Sequence, residues 1–285
     1  MRNGLSAPVM RRVAAAVLTV TLCGGFYAQL SARQPVPPIR LVDMHTAGVV
    51  PKGDFLFETR MYENGRTGFL FSIAAGITDR FCFGLGYGAE GIIGRSNAVR
   101  YNPFPECLVK FRVIEENYVL PGIAAGFDYQ GFGGISDFDR FGYYGYTYKS
   151  QGFFIAVSKS YLFARFLDIG FHGDVNFSLE EIARVKWPNL GVGIDMGVSD
   201  KFSFVAEYDF GLNTRDPYGS NDSYTVPLEG YLNAGLRIHF TPEFSLEIDA
   251  RDILQKRTFF DSLGIERRVG WSREIKVTFI SPIQG

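Results

Sequence analysis

Asn189-Leu190-Gly191-Val192-Gly193-Ile194-Asp195-Met196-Gly197-Val198-Ser199-Asp200-Lys201-Phe202-Ser203-Phe204-Val205-Ala206-Glu207-Tyr208-Asp209-Phe210 is the stretch that decides the fold. Its first half sets Leu190, Val192, Ile194, Met196 and Val198 against Asn189, Gly191, Gly193, Asp195 and Gly197. Its second half sets Phe202, Phe204, Ala206, Tyr208 and Phe210 against Glu207 and Asp209. A period of two is the mark of a β-strand with unlike faces. Only Ser199-Asp200-Lys201 separates the halves, which leaves room for a tight turn. The unit is an antiparallel hairpin with one apolar and one polar face.

The same unit recurs along the chain. Upstream strands are predicted at about 53–62, 67–77, 105–114, 118–129, 150–159 and 166–178, with a third strand carrying Phe81, Phe83, Leu85 and Tyr87. Downstream come Leu232 to Phe240, Phe244 to Arg251, and a last strand with Ile275, Val277 and Phe279 on one face. Short connections, such as Ile77-Thr78-Asp79-Arg80, Glu115-Glu116-Asn117 and Thr241-Pro242-Glu243, alternate with long ones at 90–104, 130–149, 213–229 and 254–272. Tight turns at one end and long loops at the other are the pattern of a transmembrane barrel. Most strands run roughly 9–12 residues, enough to cross a bilayer when tilted. The chain therefore reads as an all-β, antiparallel up-and-down transmembrane β-barrel of about 12 strands.

Composition agrees with this reading. The 27 Phe, 15 Tyr and 33 Gly fit many strands, tight turns and aromatic belts. A mean hydropathy of +0.02 is far too low for a bundle of membrane helices. With 29 basic and 30 acidic residues there is no electrostatic case for nucleic acid. A soluble lipocalin-like binder would share the alternation. Its wet face, however, would carry more charge than these glycine-rich polar faces do.

Ahead of the strands, Arg2, Arg11 and Arg12 precede the apolar run Val13 to Leu22, which reads as a signal peptide over 1–32. Residues 33–52, with Pro35, Pro37, Pro38 and Pro51, read as a Pro-rich periplasmic lead-in. Residues 53–285 are then the outer-membrane barrel, placed in the cell outer membrane after cleavage. Cys82 and Cys107 start from opposite ends of neighbouring strands and are expected not to pair.

The polar face lines the lumen. Its candidate lining residues are Asp168, His172, Asp174, Asp195, Glu207, Arg237, Glu247, Asp249, Arg251 and Lys276. Counting from Pro242 puts Arg237 opposite Glu247. Inward glycines, among them Gly84, Gly86, Gly88, Gly191, Gly193 and Gly197, leave room for another segment. The lead-in at 39–52 or the loop at 130–148 is the expected occupant. His172 is placed to bond Asp174 or Asp168 on its own strand. Ser178 lies too far along that strand to act with it as a nucleophile, and no third metal ligand is evident. No catalytic residue, metal or cofactor is called for.

Asp168-Ile169-Gly170-Phe171-His172-Gly173-Asp174-Val175-Asn176, with Thr46-Ala47-Gly48 ahead of Lys52-Gly53-Asp54, resembles the YjbH-like outer-membrane barrels associated with exopolysaccharide production. It is also similar to a wider pool of uncharacterised bacterial barrels. The resemblance implies a non-enzymatic accessory to polysaccharide export or cell-surface assembly. The partners it implies are outer-membrane lipid, the barrel-assembly machinery and polysaccharide or export components. A narrow passive diffusion channel is the alternative, and a lipid- or lipopolysaccharide-modifying barrel enzyme is a further one.

Overall fold

The computed structural model describes residues 38–64, 66–92, 99–102, 104–135, 146–163, 167–180, 187–213, 230–256, 258–260, 266–268 and 270–282. The expected signal segment, 1–32, lies outside them. Twelve antiparallel strands make the wall: β1 (Asp54–Asn64), β2 (Arg66–Thr78), β3 (Phe81–Glu90), β4 (Glu106–Ile114), β5 (Gly122–Asp128) and β6 (Gly152–Phe163) come first. The second half is β7 (Leu167–Phe177), β8 (Asn189–Ser199), β9 (Phe202–Asp209), β10 (Tyr231–His239), β11 (Phe244–Arg251) and β12 (Ser272–Pro282).

Each strand pairs with its neighbours in sequence, and β1 pairs with β12 to close the ring. A thirteenth piece, Arg100–Tyr101, pairs with the end of β3, beyond the reach of β4. Closure matters because a spanning sheet has no water in which to satisfy an open edge. Two short ladders, Phe132–Ile135 with Tyr146–Tyr148 and Thr258–Phe260 with Glu266–Arg268, lie in long connections and are not hydrogen-bonded into the ring's sheet. The predicted strand at 118–129 begins later, at Gly122, and the one predicted at 150–159 runs on to Phe163.

The alternation read from the sequence sorts side chains as a membrane barrel requires. On β7, Phe171 is 50% exposed and Val175 44%, whereas Asp174 between them is 4% exposed. Phe83, Leu85, Phe111, Phe153, Ile155, Val192, Phe204 and Ile248 continue the exposed apolar outer face around the ring. Exposed large apolar side chains over buried charges reverse the order of a water-soluble domain. They are the signature of an outer-membrane-type barrel whose outer face meets lipid. Cys82 faces in and is buried, while Cys107 is paired three residues further along β3, at Leu85, and both are free thiols.

A positive charge on this outer face is costly in proportion to its depth. Phe171→Arg, near the middle of β7, should cost about 2–4 kcal/mol, and Phe240→Arg, beside a short turn, about 0–1 kcal/mol. Urea unfolding in lipid vesicles measures both. Equal small costs at the two positions would rule out the lipid-facing assignment.

Candidate functional site

From Pro38 the lead-in runs inside the barrel rather than ahead of it. Leu41, Val42, His45 and Val50 are all buried. The segment doubles back on itself: Leu41 N–H donates to the Met44 carbonyl at 2.8 Å, Thr46 N–H to the Ile39 carbonyl at 3.2 Å, and Arg40 bridges His45. At the tip the Met44 N–H does not return a bond across the turn. It points instead, with the N–H groups of Val42 and Asp43, at the Glu207 carboxylate on β9, at 2.9–3.1 Å. Asn233 Nδ2 donates to the same carboxylate at 2.8 Å. Successive backbone N–H groups aimed at one anion satisfy its charge without a cation.

The hairpin's side chains find partners on facing walls. Asp43 accepts from Arg60 Nη2 of β1 at 2.5 Å and from Arg251 Nε and Nη2 of β11 at 2.8 and 2.9 Å. Arg40 pairs with Glu106 of β4 at 3.2 Å and Asp128 of β5 at 3.4 Å. His45 Nε2 lies 2.9 Å from Asp128 Oδ2, and its ring stacks on Phe154 at 3.9 Å. Lys110 donates to the Ile39 carbonyl at 2.7 Å, and Lys276 of β12 to the Val42 carbonyl at 3.2 Å. Ala47 N–H donates to Ser158 Oγ of β6 at 2.8 Å. These bonds reach β1, β4, β5, β6, β9, β11 and β12.

On β8 the wall makes room. A Cβ at Gly193 would meet Leu41, and one at Gly191 would come within 2.8 Å of the Met44 sulfur. The space at Gly86 and Gly88 is taken by the wall's own Glu106 and Asn102, so only part of the glycine lining serves the hairpin.

The described part of the β5–β6 connection closes over the hairpin from the long-loop side. Tyr148 packs with Tyr62 and Leu70, its hydroxyl lies 2.6 Å from Ser272 Oγ, and its ring lies 5.5 Å from the Arg251 guanidinium. Gln151 Nε2 donates to the Asp43 carbonyl at 3.0 Å. Glu180 accepts N–H bonds from Tyr146 and Ser150. Burial pushes its carboxyl above the ordinary range, against those bonds.

Of the ten lining residues read from sequence, Glu207 and Arg251 hold the hairpin tip directly. Lys276 links its backbone to Glu247 at 2.7 Å and to Asp249 at 3.5 Å. Arg237 bonds Glu247 in the register that counting from Pro242 gives. Asp174 stands apart, bonded by Asn176 at 2.9 Å, and Asp168 is exposed near the short-turn end of β7.

His172 corrects an expectation. Its partners lie on neighbouring strands, Ser158 Oγ at 2.8 Å and Asp195 Oδ1 at 2.5 Å, and not along β7 at Asp174 or Asp168. Same-face neighbours within a strand are ~6.7 Å apart, whereas cross-strand pairs approach to ~5 Å. The hydroxyl–imidazole–carboxylate order is that of an activated nucleophile. Here the Ser158 oxygen is buried and capped by Ala47 N–H, so the chain ties the hairpin to the wall.

Sequence reasoning missed Ser158, although the β6–β7 turn gives it away. Phe163 pairs with Leu167, and five residues back and five on are Ser158 and His172. It also gathered the inward charges into the second half of the barrel. Arg60, Glu106, Lys110 and Asp128 are as deeply buried on β1, β4 and β5.

No protein-family model and no curated protein matches the chain. Among solved structures, the KdgM porin overlaps at TM-score 0.45 and 9% identity, covering 79% of this chain and 98% of its own. The NanC porin overlaps at 0.41 and 9%, covering 80% and 98%. An outer-membrane channel of the COG4313 group from Pseudomonas putida F1 overlaps at 0.36 and 10%, covering 82% and 97%. With TM-scores below 0.5, none of these carries a functional inference for this chain.

Replacing Glu207 by Ala leaves three hairpin N–H groups without their acceptor. An orphaned buried donor costs about 1–3 kcal/mol, so the hairpin should loosen before the wall does. Native-state hydrogen exchange should show faster exchange at Val42, Asp43 and Met44 with the β7–β8 ladder unchanged. Unchanged exchange at the tip would mean that Glu207 does not hold it.

Proposed function

We propose that this barrel is a narrow channel of the outer membrane, held shut by its own lead-in hairpin. One observation carries the reading: a segment attached to the wall at only one described end, through Pro51 to β1, occupies the lumen, and polar bonds hold its tip beside the apolar contacts of Ile39, Leu41, Val49 and Val50. Hydrogen bonds and ion pairs can be exchanged for equivalent bonds to water or to a solute. Twelve strands enclose more space than eight, which side chains alone fill, and less than the 16–18 of open porins. The hairpin occupies that surplus. Among the described residues, no lumen feature favours the export-accessory role that the resemblance implies, and Ser158 has no open approach for a lipid substrate.

Deleting residues 38–48 should raise single-channel conductance in planar bilayers. The same deletion combined with Tyr148→Ala should raise it further, because Tyr148 anchors the covering segment. Heat-modifiability on gels establishes that each variant is folded. A folded combined variant conducting no better than the intact protein would overturn the channel reading.

A further inference from the structure

The hairpin tip reports what the wall beneath it is built to hold. Arg60 and Arg251 stand on either side of β12, and their side chains are 2% and 0% exposed. Glu274, on β12 between them, accepts from Arg60 Nε at 2.9 Å and lies 2.6 Å from Arg251 Nη1. This wall carboxylate holds one guanidinium by a hydrogen bond and the other by an ion pair, without the hairpin. The donors left over, Arg60 Nη2 and Arg251 Nε and Nη2, converge on one point. Arg251 offers the side-on fork that fits a carboxylate's two oxygens.

The occupant of that point is not part of the wall. Asp43 belongs to the lead-in, and its side chain keeps 23% exposure while the arginines keep almost none. Water in the lumen therefore reaches the carboxylate but not its holders. Of the other acids close by, Glu247 is held by Arg237 and Lys276, Asp249 lies 3.5 Å from Lys276, Glu207 takes the tip's N–H groups, and Glu58 adds negative charge beside Arg60 from its own strand.

We propose that Arg60 and Arg251 form a carboxylate seat, in which Asp43 stands in for the carboxylate of a small acidic solute that enters the lumen. Such a solute competes with Asp43 for the same donors and so favours withdrawal of the hairpin. The competition rests on the channel reading above, whereas the seat itself does not.

The test vacates the seat in the full chain. Asp43→Ala should lower the unfolding temperature in detergent. Sodium acetate should restore it in a saturable way, and sodium chloride at equal ionic strength should not. Adding Arg251→Gln to Asp43→Ala should abolish the acetate response. Equal effects of acetate and chloride, or an acetate response that survives Arg251→Gln, would overturn the seat. Should Asp43→Ala fail to refold in chloride, the folded yield on gels gives the same reading: a rise in acetate alone supports the seat, and equal yields refute it. Acetate should also increase the open fraction of the intact protein in bilayers. A rescued Asp43→Ala beside an unresponsive intact channel would keep the seat and remove the gating.

Discussion

Charge buried inside a closed wall must be compensated inside it, and the molecule is organised around that constraint. Lipid lies against the outer face, so the wall cannot turn its charges outward. A dozen and more carboxylates, guanidiniums and amines face a narrow space. An unpaired ion there costs several kcal/mol. The wall answers part of the demand itself, through Arg237 with Glu247, Lys276 with Glu247, and both arginines with Glu274. The remainder falls to the hairpin, which brings Arg40, Asp43, His45 and a row of N–H groups to where each is missing.

Pairs of this kind are poor evidence of net stability, because desolvation offsets their attraction. Their geometry is more telling. Arg40 and Asp43, three residues apart, meet acids on β4 and β5 and bases on β1 and β11. Sliding the hairpin by one residue would exchange inward and outward groups and leave both sides mismatched. The ion pairs thus specify one seating, and the Leu41 and Met44 side chains over the β8 glycines fix its depth.

The ring was legible in the sequence because most strands announce themselves by a local period of two, and the register beside the turn at Pro242 follows from counting. Bulges beside other turns, as at Gly76 to Thr78 and Gly197 to Ser199, shift theirs. Arg237 beside Glu247 and the separation of Cys82 from Cys107 came from counting alone. The course of residues 38–50 could not be counted. The segment has no period, and its anchors are remote: Val42 and Glu207 are 165 residues apart, and Lys276 and Leu41 are 235. Glu207 was therefore recognised as lining without its role as an acceptor for the turn. Arg60 is legible in the sequence only as a polar-face residue of the first strand, since its turn-counted partner, Leu70, carries no charge to suggest a role.

The ring closes where β1 meets β12, with Arg60 opposite Lys276 in the ladder. Both residues, and Glu274 beside them, converge on the tip of a segment that immediately precedes β1 in the chain. The first and last strands are thereby joined twice, once through their own ladder and once through the short piece of chain that leads into it, which takes bonds from Arg60 on one strand and Lys276 on the other.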